Sequence, residues 1–216
     1  QPTKMAAAEA ACHDGTAFSV LTLGDVRSGG ATTCEDVQGV IEVPGLLSYL
    51  AYEDFTTPVR GINTLLPEFE QKYGTHLPDS ELYGDRAGSE ISYLPLMEVT
   101  YWGFRLMILF GGLGALAALG ALWFSRRGTV PASRGWMRLA VASIGAPFAA
   151  NMTGWGFTEM GRQPFVVYPN PAMGVDQVYM FTAAAVSPGV TGEEVLVSLI
   201  VLVGIYAVLL LSLIHI

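Results

Sequence analysis

The sequence predicts an all-α integral membrane chain, with three transmembrane helices preceded by an extracytoplasmic loop domain containing short helices. Three observations predict it. Hydrophobic residues fill 51% of the 216 positions and charged residues only 14%, which is too apolar for an average soluble domain. Three stretches, 99–124, 139–158 and 195–214, each supply the roughly 20 apolar residues a helix needs to cross the hydrocarbon core, and within them only Arg105 is charged. Charge is also partitioned: residues 1–95 hold 14 of the 19 acidic residues but 5 of the 11 basic ones.

That partition orients the chain. The connector 125–138 carries Arg126, Arg127, Arg134 and Arg138 and no acid, and short arginine-rich loops stay on the cytoplasmic side. Residues 1–95 are then extracytoplasmic, and 96–216 form the membrane region. The first span runs inward, the second returns outward, and the third runs inward again. Residues 159–194 are external. The net charge of −8 argues against nucleic acid as a partner. The chain contains no nucleotide-binding glycine loop and no hydrolytic triad.

Within the external region, 3–12 is alanine-rich with Lys and Glu and predicts a short helix. Gly24, Gly29 and Gly30 make 24–31 a loop. Segment 37–52 is apolar but is broken by Glu42 and Pro44-Gly45, so it is too short to span and predicts a helix lying on the membrane or packed over the spans. Pro58 opens 59–73, an amphipathic helix with Ile62, Leu65, Leu66 and Phe69 on one side. Residues 74–88 are turn-rich. Cys12 and Cys34 both fall outside the membrane, where a pair can oxidise and brace a loop; two separate buried thiols are the alternative. His13 and His76 lack metal-type spacing and read as surface histidines.

The densest chemistry lies where the second span ends. Trp155, Glu159 and Arg162 stand at i, i+4 and i+7, hence on one helical face. A carboxylate, a guanidinium and an aromatic wall at a bilayer edge suit a flat, carboxylate-bearing cofactor such as haem; a snorkelling arginine paired with a surface glutamate is the plainer reading. Gln163 adds a hydrogen-bonding group, and Pro164 is expected to end the helix. Met107 is a soft donor able to ligate low-spin haem iron, though a methionine in an apolar helix is more often filler. Arg105 lies about 200° round the helix from Met107 and shares a face with Glu98 and Trp102, so a structural Glu98–Arg105 pair is one expectation. Lys4 and Glu9 are about 140° apart on a helix and do not form a self-contained ion pair.

The run Trp155-Gly156-Phe157-Thr158-Glu159-Met160-Gly161-Arg162-Gln163-Pro164-Phe165 resembles subunit I of the cytochrome bd quinol oxidases. Phe104-Arg105-Leu106-Met107 is a second block, and Gln1-Pro2-Thr3-Lys4-Met5-Ala6-Ala7-Ala8-Glu9 is similar to the start of that family's quinol-binding loop. The blocks occur in the family's order. The resemblance implies a quinol:oxygen oxidoreductase with three cofactors, low-spin haem b, high-spin haem b and haem d. Met107 would ligate the low-spin haem iron and Glu159 the high-spin haem iron. Arg105, Trp155, Arg162 and Gln163 would complete the haem surroundings, with Arg162 on propionates. Lys4 and Glu9 would serve quinol oxidation, one as donor to a ring oxygen and the other as base. Oxygen, menaquinol or ubiquinol, a lipid bilayer and a second membrane subunit are the implied partners, in a bacterial cell (inner) membrane. The short loop with two cysteines resembles the shorter-loop members of the family.

The resemblance further implies a C-terminal fragment, from the quinol-binding loop onward, that lacks the upstream spans and is inactive alone. The chain opens on Gln with no signal-peptide pattern. The closing Leu211-Ser212-Leu213-Ile214-His215-Ile216 reads like translated library-adapter DNA, so His215 carries no functional weight. Two rival classes are a non-catalytic three-span scaffold or transporter piece, which would hold no haem, and a subunit that relays electrons without reducing oxygen.

Overall fold

The computed structural model describes residues 1–23, 34, 38–126, 128, 133–170, 173–175, 177–185 and 189–215. The expected loop at 24–31 lies outside them, as does Arg127. Helices dominate: α1 Pro2–Glu9, α2 Leu46–Tyr52, α3 Ile62–Tyr73, α4 Met97–Arg126, α5 Arg134–Gly161 and α6 Gly192–Ile214. The fold is not purely helical. Strands β1 Phe18–Leu23 and β2 Gln38–Val43 pair antiparallel, as do β3 Phe165–Val167 and β4 Met180–Phe181.

Segment 37–52 is therefore a strand, a turn and a short helix rather than one surface helix. Val40, Ile41 and Val43 are β-branched and favour a pleated ladder, and Pro44-Gly45 ends it. Gly45 takes φ +74, and a Cβ there would lie 3.1 Å from the Phe55 carbonyl, so this corner requires glycine. The arginine-rich connector is also shorter than expected, because α4 runs through Arg126 and α5 starts at Arg134, capped by the Ser133 side chain.

Helix α1 is the keystone of the region that precedes α4. Proline opens it, and its run of Ala6, Ala7 and Ala8 is completely buried. Side chains this small let α1 lie against α3, α4 and α5 at once. It ends on a left-handed Ala10 (φ 50), with Ala11 N–H donating to Ala6 O at 2.8 Å, a Schellman-type stop. The chain leaving this stop caps α3. Ile62 N–H donates to Ala11 O (2.9 Å), Asn63 N–H to Cys12 O (3.1 Å) and Gly61 N–H to the Asp14 carboxylate (2.7 Å), which satisfies amides that a helix start leaves unpaired. The approach is close enough that a Cβ on Gly61 would stand 2.4 Å from the His13 carbonyl carbon.

Below α1, Ile62, Leu65, Leu66 and Phe69 of α3 point into the core as their spacing predicts. They meet Tyr93, Tyr101, Phe165 and Phe181. Phe165 and Phe181 stack at 5.1 Å, and Phe69 meets Phe165 edge-on at 6.2 Å. Each fully buried ring of this kind contributes about 1.5–3 kcal/mol by removal from water.

Cys12 and Cys34 are joined by a disulfide, with Cα atoms 5.2 Å apart, and the Asn63 side chain holds both backbone polar groups of Cys34 at 3.0 and 2.9 Å. Closing a loop of 22 residues constrains the unfolded chain by about 3 kcal/mol. Replacing both cysteines by alanine is expected to lower the thermal midpoint of the complete protein by several degrees. Calorimetry on the oxidised and dithiothreitol-treated forms measures it, and reduction should leave the double variant's midpoint unchanged.

Helices α4 and α5 form an antiparallel pair whose contact is lined by small residues, as in membrane helix packing. A Cβ on Gly103 would be 3.1 Å from Thr153 O, and one on Gly154 only 2.8 Å from the Met107 sulfur. Among the described residues, α4 and α6 are long and apolar enough to cross a membrane by length and composition. Helix α6 starts at a capping box between Thr191 and Glu194 and is exposed along its described length. Helix α5 has 28 residues, which is sufficient length, but the expected span 139–158 is not apolar enough to join them, because Pro147, Asn151, Gly145, Gly154 and Gly156 dilute its apolar side chains.

Candidate functional site

Three segments far apart in sequence meet around α1. At its C-terminal end, the Arg105 guanidinium of α4 donates to Ala8 O (2.6 Å), Ser19 O (2.5 Å) and Val20 O (3.4 Å) and lies 3.5 Å over the Tyr101 ring. Tyr101 in turn accepts from the Thr22 hydroxyl at 2.6 Å. One cation thus ties α1 and β1 to the top of α4. It also faces the carboxylate of Glu9 at 3.7 Å. The expected Glu98–Arg105 pair does not form: Arg105 turns toward Ala8 O at the C-terminal end of α1, where the helix dipole favours a cation, and toward two β1 carbonyls.

The Glu9 side chain is 1% exposed. Neither oxygen has a hydrogen-bond partner of normal geometry, and the Arg105 guanidinium and the Ser19 N–H act on it only as nearby positive ends. Burial dominates and pushes its carboxyl up to about 7, against the opposing pull of Arg105. A buried acid held this way is a group poised to take and release protons near neutrality.

Lys4, at the other end of α1, turns to a different neighbour. Its stem lies in the notch left by Gly161, where a Cβ would stand 2.6 Å from Lys4 Cγ, and its ammonium sits 5.6 Å over the Phe157 ring. Burial, and then the Arg162 guanidinium, hold this ammonium below its usual value. Lys4 and Glu9 are therefore both anchored on the α4–α5 pair, but on different parts of it.

At the end of α5, Arg162 bonds Glu159 one turn earlier. The helix closes at Gly161, before Pro164. Gln163 donates to Glu159 O at 3.3 Å and accepts from the Thr182 hydroxyl at 2.7 Å. Trp155 is 70% exposed, with Phe148 and Met152 equally open. These three and Glu159 stand at i, i+4, i+7 and i+11, so α5 presents one uncovered apolar and aromatic stripe that ends in a carboxylate and a guanidinium. Such a stripe fits a flat macrocycle with acidic edges. Met107 is half-buried with its thioether against Gly154, and its three soft torsions leave the sulfur free to adapt.

Sequence reasoning missed Tyr101, Ser19, Phe157 and Gly161. The i, i+4 spacing of Tyr101 and Arg105 was a local signal; the contacts of Gly161 and Ser19 are long-range and left none.

Comparison with known proteins identifies the family. The family model described as cytochrome bd terminal oxidase subunit I matches residues 1–216. The chain is 38% identical over 215 residues to the cytochrome bd ubiquinol oxidase subunit 1 of Bacillus subtilis (strain 168), covering 97% of this chain and 39% of that protein. It is 33% identical over 119 residues to the cytochrome bd-II ubiquinol oxidase subunit 1 of Escherichia coli (strain K12), covering 55% of this chain and 21% of that one. The chain thus spans about two fifths of the length of the Bacillus relative. With a whole-length family match and a fold that gathers all three sequence blocks around α1, the chain belongs to the cytochrome bd terminal oxidase subunit I family.

Proposed function

We propose that this chain is the quinol-handling and haem-cradling part of a membrane quinol:oxygen oxidoreductase. The supporting observation is that α1, which carries Lys4 and Glu9, is bolted by Arg105 to α4 two residues before Met107 and rests by Lys4 on α5 beside Arg162. Glu9 is the base that accepts a quinol hydroxyl proton. Lys4 supplies positive charge and a donor at the other end of α1. Met107 and Glu159 would hold the low-spin and high-spin haem b irons, and these groups, with haem d, would supply the electron transfer to oxygen when bound. Trp155 would pack against a macrocycle and Arg162 would pair with propionates, while Gln163 holds the Glu159 turn and Arg105 holds α1, and Glu9 with it, against α4.

In this reading α4, α5 and α6 span a bacterial cell membrane. Residues 1–95 lie outside and 125–138 inside, and a second membrane subunit completes the enzyme. The exposed apolar length of α6 and the open stripe on α5 support such surroundings.

A pH profile tests the role of Glu9. A base must be unprotonated to act, so quinol-driven oxygen uptake by the complete oxidase is expected to rise with pH through about 7. Stability moves the other way. The folded carboxyl binds its proton more tightly than the unfolded one, so its contribution falls as pH climbs from the ordinary carboxylate range to about 7 and is flat above. A rate that does not change between pH 6 and 8 would count against Glu9 as the base.

A further inference from the structure

A cavity of about 300 Å³ lies beneath the β1–β2 hairpin. Its polar lining comes from Glu9, His13, Thr16, Ser19, Thr22 and Glu42. At its inner end are the two unpartnered oxygens of Glu9 and the buried, unpartnered Ser19 hydroxyl. At its outer end, His13 and Glu42 are exposed. Glu42 reaches the cavity by folding over Gly39, where a Cβ would stand 1.9 Å from its carboxylate. The volume holds about ten waters, and buried carboxylate oxygens without hydrogen-bond partners are costly unless water meets them.

We propose that this cavity is the route by which protons leave Glu9 for the outer aqueous phase, with the His13 imidazole and the Glu42 carboxylate as its outermost relay groups. The proposal rests on the reading of Glu9 as the quinol base. Oxidising one quinol to its quinone releases two electrons, which the complete enzyme hands to oxygen, and two protons. A single carboxylate accepts one proton at a time, so Glu9 must discharge before it can act again. Arg105 and Tyr101 stand on its α4 side, and a cation there opposes proton passage. The open direction is outward, past the unpartnered Ser19 hydroxyl to the mouth.

Two variants of the complete oxidase test it. Ala17→Leu narrows the cavity from a wall position, and His13→Gln with Glu42→Gln removes both relay groups from the mouth without adding bulk. In each, quinol-driven oxygen uptake is expected to fall by about tenfold or more, with the visible haem spectrum unchanged and the KM for quinol within about twofold. Millimolar imidazole, a diffusible proton carrier, should restore part of the rate, and an artificial electron donor that releases no proton should support the unmodified rate. Full quinol-driven activity in both variants, while Glu9→Gln is inactive, would overturn the cavity route and leave the quinol site standing. A fully active Glu9→Gln would instead overturn the quinol assignment, and the route with it. If Ala17→Leu loses haem, the double variant decides, since its positions are at the surface.

Discussion

Met107→Leu in the complete oxidase is expected to abolish the low-spin haem b signal while the other haem bands persist. Leucine nearly matches methionine in volume, so the contact with Gly154 in the α4–α5 seam survives at a cost below about 1.5 kcal/mol. Only the soft donor is lost. Removing an outer-shell partner of a metal ligand typically costs about 10–100-fold in affinity or activity, and removing the ligand itself should exceed that, so quinol-driven oxygen uptake should fall by more than about 100-fold. The reduced-minus-oxidised spectrum measures the first effect and an oxygen electrode the second. An unchanged spectrum would return Met107 to the role of packing side chain that its seat on Gly154 already serves.

Glu9→Gln should produce the complementary phenotype. The substitution keeps the shape and removes the base. Arg105 retains its three carbonyl partners at Ala8, Ser19 and Val20, so α1 should stay in place and the haem spectrum should be intact. Quinol-driven oxygen uptake should fall by about 10²–10⁴-fold, the usual worth of a positioned acid or base, and the rise of rate through pH 7 should disappear. An uptake rate like that of the parent protein would remove Glu9 from the chemistry. The two variants separate the halves of the site: one loses colour, and the other keeps colour and loses turnover.

Much of this architecture is legible in the sequence. The long apolar runs and the 3.6-residue spacing of Ile62, Leu65, Leu66 and Phe69 are local signals, and α3, α4, α5 and α6 formed where they lie. The β1–β2 hairpin was not read. Its strands are short, β1 alternates imperfectly with bulges at Ser19, Leu21 and Thr22, and β2 is apolar enough to pass for a surface helix until Pro44-Gly45 is recognised as the end of a strand.

The partners of the charged residues were the least legible part. Helical spacing offered Glu98 to Arg105, yet the guanidinium reaches instead to residues 85–97 positions away in sequence. No periodicity carries that information, because it arises only when the alanine face of α1 packs against α4. The same holds for Lys4 in the notch of Gly161. The residue types were readable from the sequence; which of them meet depends on tertiary packing.

The most direct measurement is an anaerobic titration of the purified complete oxidase with quinol, followed by its visible spectrum. If α1 holds a quinol base beside the ligand of a low-spin haem, the protein is coloured, and added quinol reduces the low-spin band in the parent and in Ala17→Leu but not in Glu9→Gln. A colourless protein, or haem bands that quinol leaves oxidised in every form, would contradict the assignment.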